Sequence, residues 1–144
     1  MCLPSQEYIG SELELFALAT QWKSYLLQVI APHLGSEVLE VGAGFGATTE
    51  FLCHRPAKWT CLEPDPALAN RLAERIRDGE LPRCCEMVSG SLNDLDSGRQ
   101  FDSVVYVDVL EHIQEDAREL VDATRRLRPR GSPPRVARRP PRAP

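Results

Sequence analysis

No apolar run in this 144-residue sequence approaches the roughly twenty residues needed to cross a bilayer. Its N-terminus also lacks a charged region followed by an apolar signal core. Both absences argue against a helical membrane protein and a secreted precursor, and the expectation is a cytoplasmic protein. Cysteine pairing motifs are missing as well. Cys2, Cys53, Cys61, Cys84 and Cys85 form an odd set without a C-x-x-C pair, so neither a disulfide framework nor a zinc knuckle is indicated. They read as small apolar residues, with Cys61 and one of the adjacent pair filling strand positions. No internal repeat is evident.

Acid is absent from one stretch. Residues 129–144 contain five arginines, six prolines and no Asp or Glu, whereas residues 1–128 carry 12 Lys or Arg against 21 Asp or Glu, a net charge of −9. A segment of that composition cannot bury enough apolar surface to offset its chain entropy, so a disordered Arg/Pro-rich tail is expected from residue 129. The alternative is a basic arm for nucleic-acid phosphates. Length suggests one domain, divided into an N-terminal helical segment (1–35), an α/β body (36–128) and the tail (129–144).

The body opens on Val38-Leu39-Glu40-Val41-Gly42-Ala43-Gly44-Phe45-Gly46. An apolar strand running into glycines reads as strand, tight turn and helix start, where the backbone must turn sharply and leave room for a ligand. Gly42, Gly44 and Ala47 also fit the loose dinucleotide pattern, so the loop alone does not choose a cofactor. Charge does more. A pyrophosphate would sit on this loop and the following helix N-terminus, where a carboxylate at Glu40 would repel it. A cationic, phosphate-free ligand is compatible with Glu40. Glu63, about twenty residues beyond the loop, is placed to accept both hydroxyls of a ribose, a spacing shared by several adenosine cofactors.

Local signals place the remaining elements. Ser11-Glu12-Leu13-Glu14 is a capping-box pattern, and Leu15, Leu18, Trp22, Leu26, Val29 and Ile30 continue at helical spacing to Pro32 and Gly35. Trp59 to Glu63 forms a second strand. Asp65 caps a helix that has Pro66 at its first position and Gly79 just past its end. Cys85 to Val88 and Phe101 to Val107 read as third and fourth strands, and Glu115 to Arg128 as a helix stopped by Pro129. Strands alternating with helices imply a doubly wound parallel sheet.

Four segments, VLEVGAGFG, LEPD, SGSLNDL and FDSVVYVDVLEHI, stand in an order and at spacings that resemble class I S-adenosylmethionine-dependent methyltransferases. The resemblance runs from Val38 to about Ile113. It implies a Rossmann-like sheet with strand 1 between strands 2 and 4, and S-adenosyl-L-methionine as cofactor. Glu40 and the backbone of Gly42, Ala43, Gly44 and Gly46 would hold the methionine end. Glu63 would take the ribose, with Pro64 and Asp65 beside the adenosine. Ser91 occupies the position where the family often has an acid that reads the adenine, with Leu92 next. The Val107 backbone and Asp108 would close the methionine end.

In the family, a helix ending Leu-Arg-Pro leads into Gly-Gly and a fifth apolar strand. Here Leu127-Arg128-Pro129 leads into Arg130-Gly131-Ser132-Pro133-Pro134. The expectation is a methyltransferase domain truncated or frameshifted after residue 128, holding strands 1 to 4 only. Its strand 4 edge would then be open to self-association.

The expected chemistry is attack by an acceptor nucleophile on the sulfonium methyl, helped mainly by proximity and orientation. His112 is the candidate base, since an imidazole suits proton removal near neutral pH. Asp108, Glu111 and His112 could instead ligate a divalent metal, a pattern shared by some metal-dependent relatives; the bland reading is that Glu111 and His112 shape the substrate mouth, and no metal is expected. The acceptor expected is a small molecule rather than nucleic acid. A non-catalytic cofactor-binding fragment is the alternative, and a nicotinamide or nucleotide-sugar enzyme is disfavoured by Glu40.

Overall fold

The computed structural model describes residues 20–129 and the backbone of residues 135–137. The expected capping box at Ser11 and the first half of the helix it begins lie outside these residues. Helix α1 (Thr20–Ile30) leads through a 3₁₀ turn at Ala31–His33 to strand β1 (Glu37–Val41). The short helix α2 (Thr49–Leu52), strand β2 (Lys58–Glu63), helix α3 (Pro66–Arg77), strand β3 (Cys85–Ser89), strand β4 (Ser103–Val107) and helix α4 (Asp116–Arg125) follow. No described helix is long and apolar enough to cross a membrane.

With a short strand β5 (Arg135–Ala137), the strands form one sheet in the order β3-β2-β1-β4-β5, all neighbours parallel. Side chains of a strand alternate between faces, and β1 sorts accordingly. Val38 packs with Leu26 and Ile30 of α1, Leu52 of α2, Trp59, Cys61 and Leu72 of α3. Leu39 and Val41 pack on the other face with Leu62, Leu92, Phe101, Val104, Tyr106 and Ala123 of α4. Both faces are covered, which is why the strands read as near-continuous apolar runs. Tyr106, inside the second cluster, satisfies its hydroxyl by donating to Glu119 of α4 at 2.8 Å.

Local chemistry sets the element ends where the sequence indicates. The Asp65 carboxylate accepts from the Ala67 and Leu68 N–H groups at 2.9 and 3.0 Å, Pro66 opens α3, and Gly79 follows it with φ +77°. Other ends shift. β3 runs one residue further, to Ser89, β4 starts at Ser103 and α4 stops at Arg125. Beyond α4 the chain is extended: the Phe101 N–H donates to the Arg126 carbonyl at 2.7 Å, and the Arg128 N–H to the Phe101 carbonyl at 2.9 Å. The Arg128 guanidinium then bridges Glu37 and Asp102 at 2.7 and 3.0 Å, fastening this segment across the starts of β1 and β4.

The expectation of an open β4 edge needs correction. Arg135–Ala137 form a short strand β5 whose register sets Arg135, Val136 and Ala137 opposite Val105, Tyr106 and Val107. Parallel pairing is a backbone interaction that any non-proline residue can make, and Arg135-Val136-Ala137 is a proline-free triplet within the tail. Residues 130–134 and 138–144 lie outside the described residues.

Replacement Asp65→Ala leaves the first N–H groups of α3 without their acceptor. It should lower stability by about 1 kcal/mol, read as a shift of the urea unfolding midpoint with unchanged slope.

Candidate functional site

The crevice forms where the chain leaves β1. The Gly42 and Ala43 N–H groups both donate to the Leu62 carbonyl, at 2.8 and 3.1 Å, which ties the glycine loop to the C-terminal end of β2. Gly42, Gly44 and Gly46 have φ of +72°, +60° and +92°, a region that side chains rarely adopt. Space is short as well: a Cβ on Gly42 would lie 2.6 Å from a methyl of Val109, and one on Gly46 would lie 2.8 Å from Leu72. The loop therefore turns tightly enough to bring bare backbone between the ends of β1, β2 and β4.

Two carboxylates stand on the same face of the sheet at this end. Glu63 is 6% exposed, and its carboxylate accepts from the backbone N–H groups of Gly44 and Asp65. It thus spans the loop and the turn after β2. Glu40 is 2% exposed. Its Oε2 accepts from the Thr49 hydroxyl at 2.5 Å and from the Trp59 indole N–H at 2.9 Å. Burial pushes Glu40 up to about 7, against the opposing pull of Thr49 and Trp59 and with a smaller push from Glu63. Burial likewise raises Glu63 to about 7, while the two backbone donors oppose the rise.

Glu40 thus lies among the packed side chains beneath the loop, whereas Glu63 takes backbone donors on the loop and turn. Thr49 and Trp59, which hold Glu40, were not singled out from the sequence. A carboxylate on a strand buried on both faces requires donors, but which ones depends on the register that sets Glu40 beside Cys61 and hence near Trp59.

After β3, Ser91 precedes a 3₁₀ turn at Leu92–Asp94. The Asp94 carboxylate accepts from the Ser91 N–H at 2.7 Å and its hydroxyl at 3.1 Å. An acid is therefore present beside Ser91, supplied three residues later, and the capping-box pattern Ser91-Leu92-Asn93-Asp94 was the signal for it. Leu92 is buried. Pro64 and Asp65 form the turn after Glu63, with Asp65 serving also as the α3 cap.

Beyond β4, Val107, Asp108 and Val109 are half-buried, and Asp108 has φ +52°, the one described non-glycine residue in that region. An aspartate held there is strained. Its conformation lets Val109 lie against Gly42. Glu111 and His112 are exposed on the next 3₁₀ turn. Asp108, Glu111 and His112 are not gathered into a ligand set; among the described residues the group that gathers is Cys53, Cys84 and Cys85.

The donor set fits an adenosine ligand carrying positive charge. Two buried carboxylates suit hydroxyls and cations, and an added pyrophosphate would meet both. A carboxyl raised from 4.5 to about 7 is protonated in the folded chain over a window where the unfolded chain is ionised. The folded state then binds more protons, so stability falls as pH rises through that window, by about 1.4 kcal/mol per pH unit for each group. Thermal unfolding should accordingly occur at higher temperature at about pH 5 than at about pH 7.5, and Glu40→Gln should flatten roughly half of that slope.

The sequence pattern of the methyltransferase domain family matches residues 39–132. Over 60 residues the chain is 38% identical to ribosomal RNA small subunit methyltransferase A of Chlamydia muridarum (strain MoPn / Nigg), which covers 42% of this chain and 22% of that protein. The Chlamydia caviae (strain ATCC VR-813 / DSM 19441 / 03DC25 / GPIC) counterpart is 35% identical over 69 residues, 48% of this chain and 25% of that protein. In fold it is similar to a crystal structure of an S-adenosylmethionine-dependent methyltransferase from Clostridium acetobutylicum ATCC 824, with TM-score 0.67, 16% identity, and coverage of 88% of this chain and 54% of that one. The glycopeptide N-methyltransferase MtfA complexed with S-adenosyl-L-homocysteine gives TM-score 0.64 and 22% identity, over 76% of this chain and 45% of that one. The chain thus matches about a quarter of the length of these curated relatives and about half of these solved structures.

Proposed function

This chain belongs to the methyltransferase domain family, and from that premise we propose that it transfers the methyl group of S-adenosylmethionine to a small-molecule acceptor. The observation that carries the reading is the Glu63 carboxylate joined to the Gly44 N–H at the mouth of the glycine loop. A carboxylate there can exchange its backbone donors for the paired hydroxyls of a ribose.

S-adenosylmethionine, when bound, supplies the electrophilic methyl carbon. The protein's part is placement. Gly42, Ala43, Gly44 and Gly46 offer backbone at close range. Glu63 orients the ribose, and Pro64, Asp65, Ser91 and Leu92 flank the adenosine, with Asp94 behind Ser91. The Val107 carbonyl and Asp108 lie at the end of β4, where they can hold the methionine ammonium. Glu40 acts from beneath by fixing Thr49 and Trp59, so it sets the loop's shape and its negative field rather than touching the ligand. His112, exposed beside the mouth, is the group able to take a proton from an acceptor.

The charge of −9 over residues 1–128 supports a small acceptor over nucleic acid, because phosphates would be repelled from an acidic surface. A ribosomal RNA acceptor is the second reading, favoured by the two chlamydial relatives. A domain that binds the cofactor without turnover is the remaining alternative.

Calorimetric titration with S-adenosylhomocysteine tests the cofactor site. Saturable binding is expected, weakened about 10- to 100-fold in Glu63→Ala, as for loss of ~1.5–3 kcal/mol of charged hydrogen bonding. Equal binding by the variant, or binding of NADH in place of S-adenosylhomocysteine, would overturn the assignment.

A further inference from the structure

At the opposite end of the sheet from the crevice, three thiols converge. Cys53 ends α2, Cys84 lies in the turn before β3, and Cys85 opens β3; their sulfur atoms all lie within 4.8 Å of one another. The set joins two distant stretches of chain, so sequence spacing could not reveal it. Its backbone is well fixed. The Cys53 N–H donates to the Thr49 carbonyl at 3.0 Å, the Cys85 N–H to the Pro82 carbonyl at 3.0 Å, and the Trp59 N–H to the Cys84 carbonyl at 2.8 Å. One thiol is also tied to the backbone of another: Cys84 donates to the Cys53 carbonyl at 3.3 Å.

Ordinary apolar filling accounts for one buried cysteine, and Cys61, on the same face, is such a case. It does not account for three sulfurs directed at one point with one of them half-buried at the surface. Cys53 and Cys85 are buried and Cys84 is partly exposed, which gives the cluster an interior floor and an entrance. Sulfur atoms around a tetrahedral zinc ion, with bonds of ~2.3 Å, stand roughly 3.8 Å apart. The observed limit of 4.8 Å leaves at most about 1 Å to close, within reach of χ1 adjustments at Cys84.

The donor set names the class of ion. With sulfur alone and no oxygen ligand, magnesium and calcium are disfavoured and soft closed-shell cations preferred. We propose that Cys53, Cys84 and Cys85 form a three-thiolate site for a zinc- or cadmium-class divalent cation, with the fourth position open beside Cys84. On binding, each thiol transfers its proton to solvent as its sulfur–metal bond forms, with no change in oxidation state. The bound ion would clamp the end of α2 to the start of β3. Because α2 begins at Thr49, the hydroxyl that holds Glu40, that clamp would also steady the glycine loop.

The full chain, reduced with a non-thiol phosphine and freed of metal, is titrated with cadmium while the sulfur-to-cadmium charge-transfer absorption is followed in the near ultraviolet. The expected result is saturation at one equivalent with the intensity of three thiolates, and a higher melting temperature for the loaded protein. Cys84→Ser should bind at least tenfold more weakly with about two-thirds of the intensity, Cys84→His should recover affinity, and Cys2→Ser should match the parent. Failure of the parent to saturate at one equivalent overturns the site. So does a folded Cys84→Ser, checked by circular dichroism, that binds as the parent does.

Discussion

The Gly42 and Ala43 N–H groups share the Leu62 carbonyl, and the crevice depends on that lock. Two donors on one acceptor at the end of β2 force the chain to reverse within a few residues of β1. The positive φ values at Gly42, Gly44 and Gly46 are the conformational consequence. The reversal sets the Gly44 N–H within reach of Glu63 and leaves no room for a side chain at Gly42, where Val109 closes in from β4. Three strand ends are thereby brought together by one backbone arrangement, before any functional side chain is considered.

Glu40 is a buried carboxyl beneath the glycine loop. Two hydrogen bonds to an ionised carboxylate contribute roughly 1.5–3 kcal/mol each, which opposes but does not cancel the effective penalty of several kcal/mol for an ion removed from water. Desolvation wins, and the carboxyl is raised to about 7 despite Thr49 and Trp59. A glutamine would meet the same donors through its carbonyl oxygen without the ionic penalty. What glutamine lacks is the negative field beneath the loop, the property that distinguishes a cation-accepting crevice from a pyrophosphate-accepting one. The strain at Asp108, with φ +52° at the far side of the same crevice, is a second stability penalty located there.

The elements legible in the sequence are those encoded by neighbours along the chain. Asp65-Pro66 and Gly79 bracket α3 because capping, a fixed proline φ and a left-handed exit all act within a turn. VLEVGAGFG is legible because an apolar run broken by glycines has few other uses. Illegible were the contacts that need register: Trp59 on Glu40, Arg128 across Glu37 and Asp102, Val109 on Gly42, and the meeting of Cys53 with Cys84 and Cys85. Asp94 is an intermediate case, since its capping box with Ser91 is written locally in Ser91-Leu92-Asn93-Asp94. At β5, composition misled about the edge because pairing with Val105–Val107 is made by backbone groups, to which arginine content is indifferent.

Helix α2 shows how the two ends of the sheet are connected. Four residues make one turn, and a helix that short is unstable on its own because nucleation fixes several residues for each hydrogen bond gained. Its position must therefore come from its surroundings. Thr49 at its start is held by Glu40, Leu52 is buried in the cluster shared with α1 and α3, and Cys53 at its end meets Cys84 and Cys85. Removing any one hold leaves the glycine loop attached to a segment with little structure of its own. The shape of the crevice is therefore set as much from the N-terminal edge of the sheet as from the loop itself, and a group that binds at the thiols acts on the crevice through a single helical turn.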